Sequence, residues 1–257
     1  MTINKKVLLC SALFSALALS GCGGGGGSDA SPAGATAEGV YAGTLTGSAS
    51  SDFQLLVLEN GEVWSMYGTQ NPTIFAVDGF IQGSGSSSNG SFTSSNAKDF
   101  GYIPSRAAPI NATFNATAKT IAGTVTASTP PNVTFNGAAI SGTSYDYNAS
   151  ASLTTVSGTW TTTSLQGDTV TLNVASNGGF TASSIRGCNF NGTIAPRASG
   201  KNVFNVSLTF GAAPCPLAGQ TATGIALAYP LSSGRTQLMV SVVDSTRTNG
   251  TAVFGTR

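Results

Sequence analysis

The sequence predicts an all-β protein made of two tandem small antiparallel β-barrels or half-barrels, with one large β-sandwich as the alternative. Three observations carry this. From Gly39 onward apolar residues recur at every second position rather than at helical spacing. Clusters of Gly, Ser, Asn and Pro interrupt the alternation at intervals of roughly 8–12 residues, as turns do between short strands. After the apolar stretch near the N-terminus, no segment shows the period of about 3.6 that marks an amphipathic helix. A chain of 257 residues has room for one large domain or two small ones, since a domain usually holds roughly 100–200 residues.

Taken from its start, the chain opens with a short positive region, Lys5-Lys6, and an apolar run from Val7 to Leu19 broken by Ser11 and Ser15. That run is too short for a permanent membrane helix and reads as a secretory signal peptide over residues 1–21. It ends in Leu19-Ser20-Gly21-Cys22, which resembles the lipobox of bacterial lipoproteins. The resemblance implies cleavage before Cys22, diacylglycerol on its thiol and an acyl chain, typically palmitate, on the new amino terminus. Several chains make a durable anchor, because each buried methylene contributes about 0.8 kcal/mol and one chain alone is marginal. Residues 22–37, with five consecutive glycines, form a flexible tether. Gly23 rather than aspartate after the cysteine implies, by the same resemblance, transport to the outer membrane, its surface or periplasmic face left open.

Export also accounts for the cysteines. Cys10 leaves with the signal and Cys22 takes lipid, so Cys188 and Cys215 remain as a pair in a compartment that permits a disulfide. A metal site would need more ligands, and a redox pair would place its cysteines closer together. Solubility rests on hydroxyls and amides, because charged residues make up only 8% of the chain. Once Lys5 and Lys6 are removed, 9 of the 11 cations remain against 10 acids, a net charge of −1. There is no basic stripe for nucleic acid to follow.

Along the body, Phe204, Val206, Leu208 and Phe210 alternate with Asn205, Ser207 and Thr209; Val170, Leu172 and Val174, then Leu238, Val240 and Val242, repeat the scheme. Asn60-Gly61 and Asn177-Gly178 sit between alternating runs and suit type I′ hairpin turns. A Gly-x-aromatic segment precedes each hairpin, Gly39-Val40-Tyr41 in one half and Gly158-Thr159-Trp160 in the other. About eight strands fit each half, the number a small closed barrel needs. The expected organisation is an N-terminal β domain over 38–140, a linker over 141–149 and a C-terminal β-barrel over 150–257. A long loop is expected from Asn96 to Pro109. Phe100 and Tyr102 there, with Tyr145 and Tyr147 in the linker, either present binding loops or cap the barrel ends.

Chemistry is harder to find. The chain lacks histidine, which removes the commonest general base and imidazole ligand. Its acids lie mostly singly in turn-like surroundings, with no spacing that suits a paired-carboxylate or calcium site. The expectation is a non-catalytic protein without metal or cofactor. In layout, with lipobox, polyglycine tether and β domains, it resembles the transferrin-binding and factor H-binding surface lipoproteins, which implies contact with a host or envelope protein. Gly158-Thr159-Trp160 is similar to the Gly-x-Trp opening of the lipocalins, which implies instead a carrier of a small apolar ligand. The expected partner in both cases includes the membrane, through lipid on Cys22. Cys22→Ala is expected to release the protein from the membrane fraction; retention there, with no lipid label on the wild type, would overturn the anchor.

Overall fold

The computed structural model describes residues 31–128, 131–140, 145–215 and 217–257; Cys22, its lipobox and the glycine run lie outside the described residues. The expected tether over 22–37 is corrected at its far end: the Ser31 hydroxyl donates to the Phe114 carbonyl (2.9 Å), the Ala37 N–H donates to Ser87 Oγ (2.9 Å) and Ala37 is fully buried, so 31–37 pack on the first sheet. The strands of the first half are β1 (Gly39–Thr46), β2 (Asp52–Val57), β3 (Glu62–Asn71), β4 (Ile74–Ser84), β5 (Ser86–Ser88), β6 (Ser91–Ser94), β7 (Lys98–Asp99), β8 (Arg106–Ala107), β9 (Ile110–Asn115), β10 (Thr120–Val125) and β11 (Val133–Ala139). A single helical turn, α1 (Leu153–Val156), precedes β12 (Gly158–Ser164), β13 (Thr169–Val174), β14 (Gly179–Ser184), β15 (Asn189–Pro196), β16 (Phe204–Phe210), β17 (Thr221–Pro230), β18 (Thr236–Asp244) and β19 (Gly250–Thr256). The fold is all-β, as the alternation predicts. The first half is an 11-stranded antiparallel sheet curled into a half-barrel, in the order β5-β6-β9-β10-β11-β1-β2-β3-β4-β7-β8. The second is a closed eight-stranded barrel in which each strand pairs with its sequence neighbour and β12 pairs with β19.

The two Asn-Gly sites do form hairpins, but with a different turn. The Leu58 N–H donates to the Glu62 carbonyl (2.8 Å) and the Gly61 N–H to the Leu58 carbonyl (2.9 Å), so the loop is Glu59-Asn60-Gly61. Only Gly61 takes positive φ, at 80°. This is a type I turn closed by a glycine bulge, and the residue it adds increases local twist. Ala175 to Gly179 repeats the arrangement, with Gly178 at φ 84°. In each case the following strand bonds to the bulge: the Gly85 N–H donates to the Gly61 carbonyl and the Ile194 N–H to the Gly178 carbonyl, both at 2.8 Å.

The Gly-x-aromatic segments match in the same way. Gly39 pairs with Val57 and Gly158 with Val174. The Tyr41 hydroxyl donates to the Ala37 carbonyl (3.1 Å) and the Trp160 Nε1–H to the Val156 carbonyl (2.7 Å), each four residues upstream and each onto a fully buried residue. A large ring thus roofs the first strand of each half while its polar atom satisfies a carbonyl that has no ladder partner.

Three cores follow. Phe53, Leu55, Val63, Phe92, Phe114 and Phe135 fill the curl of the first sheet. Trp160, Leu172, Ile194, Phe204, Leu208 and Leu238 line the closed barrel. Between them a third core joins Leu56, Trp64, Met66, Phe75 and Phe80 of the first sheet to Ile225, Leu227, Met239 and Val243 on the outer wall of the barrel. From Gln237 to Asp244 every residue of β18 is buried, because one face looks into the barrel and the other onto the first sheet. The expected loop from Asn96 to Pro109 is corrected in part: β7 and β8 form a short ladder, Lys98 opposite Ala107 and Asp99 opposite Arg106, on the edge of β4. Two-residue strands carrying charge are a usual way to end a sheet without inviting another.

One buried side chain ties the halves together. The Phe75 N–H donates to Gln237 Oε1 (2.7 Å), and Gln237 Nε2 donates to the Phe75 carbonyl (2.8 Å). Strand β7 pairs with β4 only at Ile81 and Gln82, so this end of β4 has no strand beyond it, and the amide of Gln237 takes the place of a peptide group. Gln237→Leu keeps the volume but orphans a buried N–H and C=O, each costing about 1–3 kcal/mol. Urea unfolding should show a lower midpoint by at least ~2 kcal/mol with little change in slope; an unchanged midpoint would refute the role.

Candidate functional site

The aromatic residues singled out in the sequence are mostly structural. Phe100 is buried and stacks on Phe80, centroids 5.0 Å apart. Tyr145 and Tyr147 are buried in the middle core, the Tyr145 hydroxyl donating to the Asn202 carbonyl and the Tyr147 ring lying 5.0 Å beneath the Lys201 ammonium. Burial pushes both phenols up from their ordinary range. An exposed binding loop at these three positions is therefore corrected: rings beside a broad apolar interface gain more by entering it than by facing water. Tyr102 alone is exposed, with the Arg106 guanidinium 3.9 Å from its ring centroid.

A cavity of about 420 Å3 lies within the closed barrel. Val170, Leu172, Phe180, Ile194, Leu208 and Val240 contribute its apolar wall, and they do so because alternate residues of each strand point inward. The barrel is plugged at one end by α1. There Trp160 is fully buried, the Arg257 guanidinium lies 4.1 Å from its ring centroid, and Arg257 donates to the carbonyls of Ser157 (2.5 Å) and Thr155 (3.0 Å).

The other end carries the polar groups of the cavity: Ser164 at the end of β12, Gln166 and Asp168 from the β12–β13 turn, Arg186 from the β14–β15 turn, and Asn249 from the β18–β19 turn. Cys188 and Cys215 are bridged, joining the β14–β15 turn to the loop that precedes β17, and Cys188 lines the cavity. Arg186 Nε stands 3.6 Å from Asp168 Oδ1. Partial burial pushes the Asp244 carboxyl up, but hydrogen bonds from Asn249 and Thr246 side chains and from the Thr248 and Asn249 N–H groups outweigh it and hold the carboxyl below its ordinary value. These bonds shape the β18–β19 turn beside Asn249.

The first half reaches this mouth as well. The Ser105 N–H donates to the Thr248 carbonyl (3.0 Å) and its hydroxyl to the Arg247 carbonyl (2.9 Å), while Arg247 itself donates to Gln82 and to the Asn96 carbonyl. So held, the segment between β7 and β8 places Ile103 on the cavity rim, 71% exposed. Ile185, 76% exposed, stands in the β14–β15 turn between Ser184 and Arg186, both of which line the cavity. No sequence signal marked Ile103, Asp168 or Arg186; alternation shows which residues point inward, whereas the rim is assembled from turns distant in the chain.

A smaller cavity of about 150 Å3 lies in the first half, walled by Phe53, Leu55, Ile81, Ile110 and Phe135. At its edge the Tyr67 hydroxyl donates to Asp99 Oδ1 (2.7 Å), as does the Gly101 N–H (2.8 Å). Burial raises the Asp99 carboxyl above its ordinary value, against the lowering effect of these bonds and of Arg106. Among the described residues no cluster of three or more metal-ligating acids and cysteines occurs.

No protein-family model matches this sequence, and no curated protein matches it. Among solved structures the chain is similar to a protein of unknown function from the DUF3598 family of Nostoc punctiforme, 13% identical, over 85% of this chain and 94% of that one, with a TM-score of 0.23. So distant a likeness carries no argument about function.

The disulfide closes a span of 27 residues, for which loop entropy assigns on the order of 3–4 kcal/mol. Replacing both Cys188 and Cys215 by serine should lower the unfolding free energy by about that amount in denaturant titrations. Equal stability of the two forms would show that the bridge adds nothing to the barrel.

Proposed function

We propose that the protein is a lipid-anchored binding protein of the bacterial cell envelope that holds a small apolar molecule in its C-terminal barrel. The observation that carries this reading is the cavity of about 420 Å3 inside a closed barrel. It falls within the roughly 300–1,000 Å3 of ordinary ligand pockets, and its wall is apolar with a few polar groups at one end, the pattern such pockets share. An eight-stranded barrel is wide enough either to be filled by its own side chains or to hold one small ligand. Contact with a host or envelope protein through aromatic loops has less support, since Phe100, Tyr145 and Tyr147 are buried.

The anchor supplies the setting. With lipid on Cys22 and the chain held to the first sheet from Ser31, the nine-residue reach between them spans at most ~32 Å at about 3.3–3.6 Å per residue, so the barrel works close to the membrane that holds it. Transfer of an apolar guest into the cavity is driven by about 0.8 kcal/mol per methylene removed from water, against the cost of fixing the guest in place. The exposed rim residue Ile103 gives such a guest an apolar edge to cross on entry.

A naphthylamine dye whose fluorescence rises in apolar surroundings should bind the purified protein and be displaced by decanol. Leu208→Trp fills the cavity from its wall and should weaken dye binding at least about tenfold, a loss of ~1.4 kcal/mol, while the far-ultraviolet spectrum stays that of the wild type. Absence of any fluorescence rise with the wild type would sink the carrier reading.

A further inference from the structure

We infer that the barrel selects apolar molecules bearing a hydrogen-bond-donating head, a hydroxyl or an amine, which is received by the carboxylate of Asp168 at the cavity mouth; this rests on the carrier reading above. Asp168 is 9% exposed and belongs to the cavity wall. Its Oδ1 is buried without a hydrogen-bond partner. A buried acceptor left unpaired is costly, and more so when it is charged.

The surroundings do not account for that carboxylate. The turn that carries it is closed by other atoms: the Ser164 N–H donates to the Asp168 carbonyl (2.9 Å), and the Asp168 N–H donates to Ser164 Oγ (3.1 Å). The nearest cation is Arg186, but its Nε is 3.6 Å from Oδ1 and its side chain is 72% exposed. An ion pair so placed contributes little. Ser164, Gln166, Ser184 and Asn249, the other polar side chains of the mouth, are neutral.

Position decides the ligand chemistry. A guest lying along the apolar wall brings its polar end to the mouth, where the buried charge is negative. A hydroxyl can donate to Oδ1, and an ammonium can donate and also neutralise it. A carboxylate would set two like charges together in a site that water reaches poorly, and the one cation lining the cavity to offset them, Arg186, stands out in solvent.

Displacement of the naphthylamine dye by decylamine, decanol and decanoate, at neutral pH on the purified protein, separates these cases with one chain length. Decylamine and decanol should displace it at concentrations at least about tenfold below decanoate, as expected where a charge-assisted bond replaces repulsion. Asp168→Asn, nearly the same in shape, should erase the advantage of decylamine over decanoate. Arg186→Gln, at an exposed position, should preserve the order. Decanoate displacing the dye as well as the other two, an order unaffected by Asp168→Asn, or a preference abolished by Arg186→Gln would each overturn the inference while leaving the cavity a binding site. Failure of the dye to bind at all would remove both.

Discussion

The bidentate pairing of Gln237 with the backbone of Phe75 is the constraint from which the architecture follows. An open curled sheet ends in strands whose N–H and C=O groups have no neighbour, and β4 is such a strand along much of its length. Covering it with another strand would extend the sheet without joining it to anything. A side-chain amide from β18 satisfies the same two groups and fixes the barrel against the sheet at one register, because both bonds form only when Gln237 and Phe75 are opposed. The nearby Gln54 Nε2, which donates to the Tyr229 hydroxyl at 2.6 Å, adds a second polar contact between the halves. In an apolar interface such contacts specify alignment more than they add stability.

With that alignment set, β18 serves two cores at once. Leu238, Val240 and Val242 face the barrel interior while Met239 and Val243 join the core between the halves. The same docking brings the β7–β8 segment over the barrel mouth, where the Arg247 guanidinium donates to Gln82 and to the Asn96 carbonyl while the Arg247 carbonyl accepts from the Ser105 hydroxyl. The mouth of the cavity is therefore a joint product of both halves. Neither the barrel alone nor the sheet alone would place Ile103 beside the β12–β13 and β14–β15 turns.

Much of this was legible in the sequence, for a physical reason. Strands that face water on one side must alternate, so β13 and β16 are written plainly as Val170-Leu172-Val174 and Phe204-Val206-Leu208-Phe210, and their buried residues are the ones alternation assigns. Gly39 and Gly158, at equivalent places before Tyr41 and Trp160, mark a shared local construction. The bridge between Cys188 and Cys215 followed from compartment and count. What the pattern hides is burial on both faces: in β18 Gln237 and Ser241 are buried yet read as the polar side of an ordinary strand. The same interface claims Phe100, Tyr145 and Tyr147, which in sequence look like loop aromatics. The hairpin turns differ from the sequence expectation by a single residue, since a two-residue turn and a bulged three-residue turn both want glycine and differ only in where the chain resumes pairing.

Why the larger cavity lies in the second half rather than the first comes down to which side chains point inward. The curl of the first sheet is packed with rings, Tyr41, Phe53, Phe92, Phe114 and Phe135, and an open sheet can tighten around them until little room is left. A closed barrel has no such freedom, because strand number and tilt fix its width. The side chains that enclose its cavity, among them Val170, Leu172, Phe180, Ile194, Leu208 and Val240, leave about 420 Å3 of that fixed space unfilled. Filling that space would add stability, as each unfilled volume of methyl size costs about 1 kcal/mol. The apolar wall, a plug held by Trp160 and Arg257 at one end and a bridged, partly polar mouth at the other are the features on which the carrier proposal rests.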